Sequence, residues 1–192
     1  MNVDFNALFR EQAEKFKGAR LLLHCCCAPC ASSCLERLKD YFKITVLFYN
    51  PNIDGSEYER RKAELIKFIN ATGWAEMLDC AHGAEDFYTA AAGLESEKEG
   101  GARCAECFKL RLNKTAELAD SGGYDLFATT LTLSPLKNAR LINGIGESAA
   151  RGNAKWLYSD FKKQDGYKRS IELSKQYGLY RQNYCGCEFS RR

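Results

Sequence analysis

The chain has 192 residues, 45% of them apolar, and a net charge of +3. That is enough apolar material for the core of one domain spanning 1–192, and it excludes wholesale disorder. The longest apolar run, Leu21 to Ala31, contains His24 and Pro29 and falls far short of the ~20 residues that span a bilayer. Asp4, Glu11 and Glu14 alternate with Lys15 and Lys17 near the start. This does not fit a signal peptide, so a cytoplasmic protein without membrane association is expected.

Phe5, Leu8, Phe9, Ala13 and Phe16 share one face of a helix expected from about Asp4 to Lys17. Residues 1–18 read as a helical extension closed by Gly18. A buried strand is expected over Arg20–Cys25, then a helix with Pro29 in its first turn running to about Asp40. Ile44–Tyr49 is β-branched and aromatic, hence a second strand, followed by a loop at Asn50, Pro51 and Asn52. Ser56 with Glu59 predicts a capping box opening a helix to about Ala71. Trp74–Cys80 predicts a third strand, Ala84–Ala92 a short helix, and Leu94–Ala102 a mobile loop. Arg103–Asp120 is helical, stopped by Gly122-Gly123, and Tyr124–Thr129 is a fourth strand. Ser134-Pro135 predicts an N-cap and first turn of a helix to about Arg151. Lys155–Ser159 is a fifth strand and Tyr167–Tyr177 a last helix. Strands alternating with helices imply an α/β fold: one doubly wound, mostly parallel sheet, with ligands at the carboxyl ends of its strands.

Charge is unevenly placed. The 28 basic residues divide 18 to 10 about position 150, and the 25 acidic residues 21 to 4. The segment 151–192 is therefore basic, and it carries Trp156, Tyr158, Phe161, Tyr167, Tyr177, Tyr180, Tyr184 and Phe189. Cations for phosphates and rings for unstacked bases suit a nucleic-acid surface. Composition alone does not separate this from a solvated cationic helix packed through its aromatics.

Ten cysteines dominate the chemistry. The cytosol keeps thiols reduced, so their clustering points to metal or redox work rather than a disulfide frame. His24-Cys25-Cys26-Cys27-Ala28-Pro29-Cys30 lies at a strand-to-helix turn, where thiolates converge on the positive end of a helix. Cys25 and Cys34 suit core positions, as does the isolated Cys80. Cys104-Ala105-Glu106-Cys107 is either half of a metal site or a redox dithiol. With the first group it makes a four-thiolate set, for zinc or an iron–sulfur cluster. Cys185-Gly186-Cys187 spans one residue. A disulfide there closes a strained, reducible ring, and ligation of a second metal is the alternative. Thr129–Asn138, with its hydroxyls and Lys137, offers an anion site at an expected helix start. Ser121-Gly122-Gly123 superficially matches a pyrophosphate loop, but the glycines end a helix and imply no ATP use. His82 reads as a surface residue.

Together these motifs resemble the QueH family of epoxyqueuosine reductases. The matching segments are CCAPC at 26–30, FYNPNI at 48–53, EYERR at 57–61, RCAEC at 103–107, TTLTLSPLKN at 129–138 and LYRQNYCGCEFS at 179–190. The resemblance implies reduction of the epoxide of epoxyqueuosine, at the wobble position of tRNA, to queuosine. It further implies a [4Fe–4S] cluster on Cys26, Cys27, Cys104 and Cys107, with Cys185 and Cys187 as the redox-active pair. Cys30, where other members carry Asp, is implied as ligand to a second metal, iron or zinc. The partners implied are tRNA carrying epoxyqueuosine in its anticodon loop and a low-potential electron donor. His24 and Tyr184 are candidate proton donors by adjacency. Two other readings stay open on the residues alone: a zinc-stabilised RNA-binding module without catalysis, and a cytosolic thiol–disulfide oxidoreductase using Cys104 and Cys107.

Overall fold

A computed structural model describes residues 3–190. Residues 1 and 2 of the expected extension and 191 and 192 of the basic tail lie outside it. Five parallel strands form one sheet: β1 (Arg20–His24), β2 (Lys43–Leu47), β3 (Glu76–Leu78), β4 (Leu126–Thr129) and β5 (Lys155–Trp156), in the order β3-β2-β1-β4-β5. The helices are α1 (Phe5–Lys15), α2 (Ala28–Leu38), α3 (Gly55–Thr72), α4 (Ala84–Ala91), α5 (Ala102–Ser121), α6 (Ala139–Ala149) and α7 (Gly166–Gln176).

Alternation along β1 decides which residues face which layer. Leu21 and Leu23 pack with Phe9 and Ala13 of α1, Leu35 of α2, and Leu65 and Phe68 of α3. Leu22 faces the other way, to Leu112 of α5, Ile142 of α6 and Trp156. Side chains of period two thus give one core on each face of a doubly wound sheet. Strand order runs outward from β1 to β3 on one side and from β4 to β5 on the other. The switch point lies between the carboxyl ends of β1 and β4, where such sheets bind ligands.

Local chemistry moved several expected boundaries. The cap of α3 is Asp54, whose carboxylate accepts from the Glu57 N–H, rather than Ser56. After β4 the chain enters a 3₁₀ turn, Thr130–Leu133, capped by the Thr129 hydroxyl. Helix α6 then starts at Asn138, whose side chain accepts from the Arg140 and Leu141 N–H groups, so Ser134-Pro135 is not its cap. The expected mobile loop is tied down, because Arg103 donates from Nη1 to the carbonyls of Leu94 and Glu95 at 3.1 and 2.8 Å. Gly122 caps α5 and Gly123 adopts positive φ, so this glycine pair ends a helix as expected. Among the described residues no helix is long and apolar enough to cross a membrane.

Candidate functional site

Strand β1 ends at His24, and Cys27 occupies the N-cap of α2 in extended conformation with Pro29 in the first turn. This turn gathers Cys26, Cys27 and Cys30, whose sulfurs all lie within 4.8 Å of one another. Cys26 and Cys27 are 3.8 Å apart. Two thiolates on one tetrahedral ion with bonds of about 2.3 Å sit roughly that far apart. The same turn sends Cys25 and Cys34 into the core, as expected. Hydrogen bonds from Cys27 and Cys30 hold the Cys26 thiol well below its ordinary pKa, and the cations of Arg111 and Lys137 add to this. The same bonds raise Cys30 and push Cys27 up to about 12. A bound cation would favour ionisation of all three thiols together.

Cys104 and Cys107 lie on the first two turns of α5. Burial pushes the Cys107 thiol up to about 11, while Arg111, one turn on, donates to its sulfur at 3.8 Å. Arg111 is itself buried. It donates to Asn50 Oδ1 through Nη2, and Asn50 Nδ2 donates to the Cys25 carbonyl at 2.8 Å. Burial opposes the Arg111 charge, but the neighbouring sulfurs of Cys107, Cys26 and Cys185 outweigh it and raise its pKa. One guanidinium thus ties α5 to the ends of β1 and β2.

The third thiol segment is held by α3. Arg61 Nε pairs with Glu57 Oε1 at 2.6 Å, and its Nη1 and Nη2 donate to the carbonyls of Cys185 and Tyr184 at 2.9 and 3.4 Å. Gly186 lies between these carbonyls and Cys187 at φ +100, where a Cβ would press on Arg61 and Ile53. Cys187 is buried beside Cys107 and Phe87.

Two connected hollows face these thiols. A small pocket of about 120 Å³ is lined by Cys104, Cys107, Cys185, Cys187 and Asn52. A cleft of about 1000 Å³ is lined by Cys26, Cys30, Arg61, Arg111, Tyr167, Tyr180, Arg181 and Tyr184. Lys137 and Cys185 line both. Burial disfavours the Lys137 charge, but Cys185, Cys26 and Cys30 outweigh it and raise its pKa. The structure therefore brings the seven candidate cysteines to one region in two groups, with Cys26, Cys27 and Cys30 as one and the other four around the small pocket.

Other expectations fare differently. The hydroxyls of Thr129 and Thr132 are spent internally, on His24 Nδ1 at 2.8 Å and on Ser159 Oγ at 3.0 Å. The α-helix starts only at the end of this segment, and of its hydroxyl and cationic side chains Ser134 and Lys137 line the cleft. His24 is 0% exposed, and desolvation lowers its pKa to about 3, so the ring is neutral and lines neither hollow. Tyr184, the other adjacent candidate, does line the cleft. His82 is not a free surface residue: it stacks on Tyr58 at 3.8 Å and bonds the Ile53 carbonyl at 2.7 Å. Cys80 is half-buried against the α5–α6 core. Sequence reasoning missed Asn50, Asn52, Arg61 and Arg111, although FYNPNI and EYERR contain three of them.

A doubly wound α/β sheet that gathers cysteines from three segments beside a cleft has the frame of a thiol-based metal or redox protein. The family model for epoxyqueuosine reductase QueH matches residues 21–192. A Staphylococcus epidermidis protein of that name is 44% identical over 89% of this chain and 76% of its own length. Its namesake from Haemophilus influenzae is 40% identical over 98% and 79%, and that from Thermotoga maritima 36% identical over 88% and 89%. The chain belongs to the QueH family and is an oxidoreductase.

Proposed function

We propose that the cleft takes the wobble nucleotide of a tRNA carrying epoxyqueuosine and that the chain reduces its epoxide to the alkene of queuosine. Two electrons and two protons enter, both bonds from carbon to the epoxide oxygen break, and the oxygen leaves as water. One observation carries this reading: Cys185 lines both hollows, so a redox-capable dithiol stands where the thiol pocket opens into a nucleotide-sized cleft.

The residues fit a thiolate-bound metal group, since soft donors converge from three segments and cations flank them. Cys26, Cys27, Cys104 and Cys107 would hold a [4Fe–4S] cluster, and Cys30 would bind a second metal. A cluster bound there supplies electrons singly at low potential. Cys185 and Cys187 take up or release an electron pair as dithiol and disulfide. Lys137 has no carboxylate partner among the described residues, and it holds positive charge beside the departing oxygen. Tyr167, Tyr180 and Tyr184 offer stacking faces to bases, and Arg181 offers a cation to phosphate. Exposed Lys163 and Lys168 extend that basic surface.

The 3.8 Å separation of Cys26 and Cys27 also favours a second reading, a single zinc ion that stabilises an RNA-binding module. Protein purified without oxygen separates the two. Broad blue-violet absorbance with acid-labile sulfide supports the reductase, and colourless protein holding stoichiometric zinc supports the module.

A further inference from the structure

Asn50 and Asn52 stand two residues apart on the loop after β2, and both are buried. Asn50 is paired at both ends, with Arg111 and with the Cys25 carbonyl. Asn52 is 4% exposed, and neither its Nδ2 nor its Oδ1 has a partner. Among the described residues no other side chain has both ends of a buried amide in that state. Two hydrogen bonds tie the loop beside it. The Ile53 N–H donates to the Asn50 carbonyl at 3.1 Å, and the Ile53 carbonyl pairs with His82.

A buried amide with no partner is destabilising, and native proteins keep few of them without a use. Asn52 lines the small pocket together with four cysteines, the apolar Phe87, Phe108, Leu136 and Leu141, and the polar Glu99, Arg103, Lys137 and Asn138, none of which bonds its amide. The apolar walls and weakly bonding thiols leave the amide unpaired, and no polar wall reaches it. The complement of a free amide is a group that both donates and accepts, such as a hydroxyl. At about 120 Å³, the pocket has room for a small ring.

We propose that Asn52 is a substrate-recognition residue that pairs with a hydroxyl on the five-membered ring bearing the epoxide, setting that ring against Cys185 and Cys187. This deepens the reductase reading and rests on it. Asn52 then discriminates the modified nucleotide from unmodified guanine, because a site that leaves its amide unpaired rejects a ligand lacking the hydroxyl.

The test compares wild type, Asn52→Leu and Asn52→Ala on two anticodon stem-loops, one carrying epoxyqueuosine and one carrying guanine at the wobble position. Affinity is read by fluorescence anisotropy, beside melting temperature, iron and sulfide content and the visible spectrum. Wild type is expected to bind the modified stem-loop more tightly. Asn52→Leu is expected to lose about tenfold on that stem-loop and nothing on the guanine form. Its melting temperature should not fall, because an unpaired amide has been removed, and its spectrum should not change. Asn52→Ala gives the same selective loss if the leucine variant does not fold. Equal losses on both stem-loops, no loss, or no preference in wild type overturns the proposal. A lower melting temperature with affinity kept assigns the amide to internal water and also overturns it. So does an altered spectrum with affinity kept, which assigns the amide to the metal site. Failure of the wild type to turn over epoxide-bearing tRNA sinks the reductase reading instead, whatever Asn52 contacts.

Discussion

Arg61 Nη1 donates to the Cys185 carbonyl at 2.9 Å, so a helix near the start of the chain holds a dithiol 124 residues further on. The same guanidinium is anchored by Glu57, which also accepts from the Tyr180 hydroxyl at 3.3 Å. Arg61→Lys keeps the charge but loses the planar fork that reaches Glu57 and the two carbonyls together. It should leave bound iron and sulfide at wild-type levels while alkylation of Cys185 and Cys187 accelerates several-fold. Gly186→Ala should act likewise, at a cost of about 1–3 kcal/mol for left-handed backbone. Unchanged alkylation rates in both variants would mean that Arg61 does not position the dithiol.

The thiol groups predict separable metal contents. Cys104→Ala and Cys107→Ala should each lose most iron and sulfide, while Cys25→Ala and Cys80→Ala keep both. If Cys30 serves the second ion alone, as proposed, Cys30→Ala should lower total metal and leave sulfide constant. Loss of sulfide in Cys30→Ala would instead place Cys30 on the cluster.

Much of this was legible in the sequence, for definite reasons. The sheet could be read because buried parallel strands are short apolar runs, as at Arg20–His24 and Leu126–Thr129. The convergence of Cys26, Cys27 and Cys30 followed from a strand-to-helix turn. The start of α6 was misplaced because Ser-Pro suits a turn as well as a helix N-terminus, and the Thr129 hydroxyl drew the chain into 3₁₀ geometry first. Arg61 and Arg111 were not legible as site residues. On a helix surface an arginine reads as solvated, and only tertiary packing shows that these two are buried against carbonyls and thiols. The unpaired state of Asn52 depends on what does not face it, which no local pattern carries.

Asn143 tests the fold away from the thiols. Its Oδ1 accepts from Trp156 Nε1 and the Ser159 N–H at 3.0 and 3.1 Å, and its Nδ2 donates to the Ala139 and Ser159 carbonyls, each at 2.8 Å. Asn143→Leu leaves buried donors unpaired and should destabilise by about 3 kcal/mol, roughly 6–12 °C in melting temperature. A shift under 2 °C, measured calorimetrically on protein with unchanged metal content, would contradict this network.

The basic tail divides into paired and free cations. Arg169 is held by Glu36 through two bonds of 2.8 Å and by Glu172 at 3.0 Å, so it is committed to packing α7 on α2. Arg169→Gln should leave tRNA affinity unchanged, whereas neutralising Lys163 and Lys168 should flatten the salt dependence by roughly 0.7–0.9 for each phosphate that then goes unneutralised. The Arg169 hydrogen bond holds the Glu36 carboxyl below its ordinary 4.5. A carboxylate with a lowered folded pKa contributes stability that is present above 4.5 and fades as pH falls through the folded value. The melting-temperature gap between wild type and Arg169→Gln should therefore persist at neutral pH and close below 4.5. A gap independent of pH would assign it to packing alone.

The central claim is that the thiol-lined cleft removes the epoxide oxygen. Its most direct test is anaerobic incubation of iron-loaded protein with epoxyqueuosine-bearing tRNA and a low-potential reductant, followed by nucleoside mass spectrometry. The account predicts that the wobble nucleoside loses one oxygen atom over several turnovers, and that Cys185→Ser with an intact cluster stops after the first. An unaltered epoxide in the presence of a reduced, fully loaded protein would contradict it.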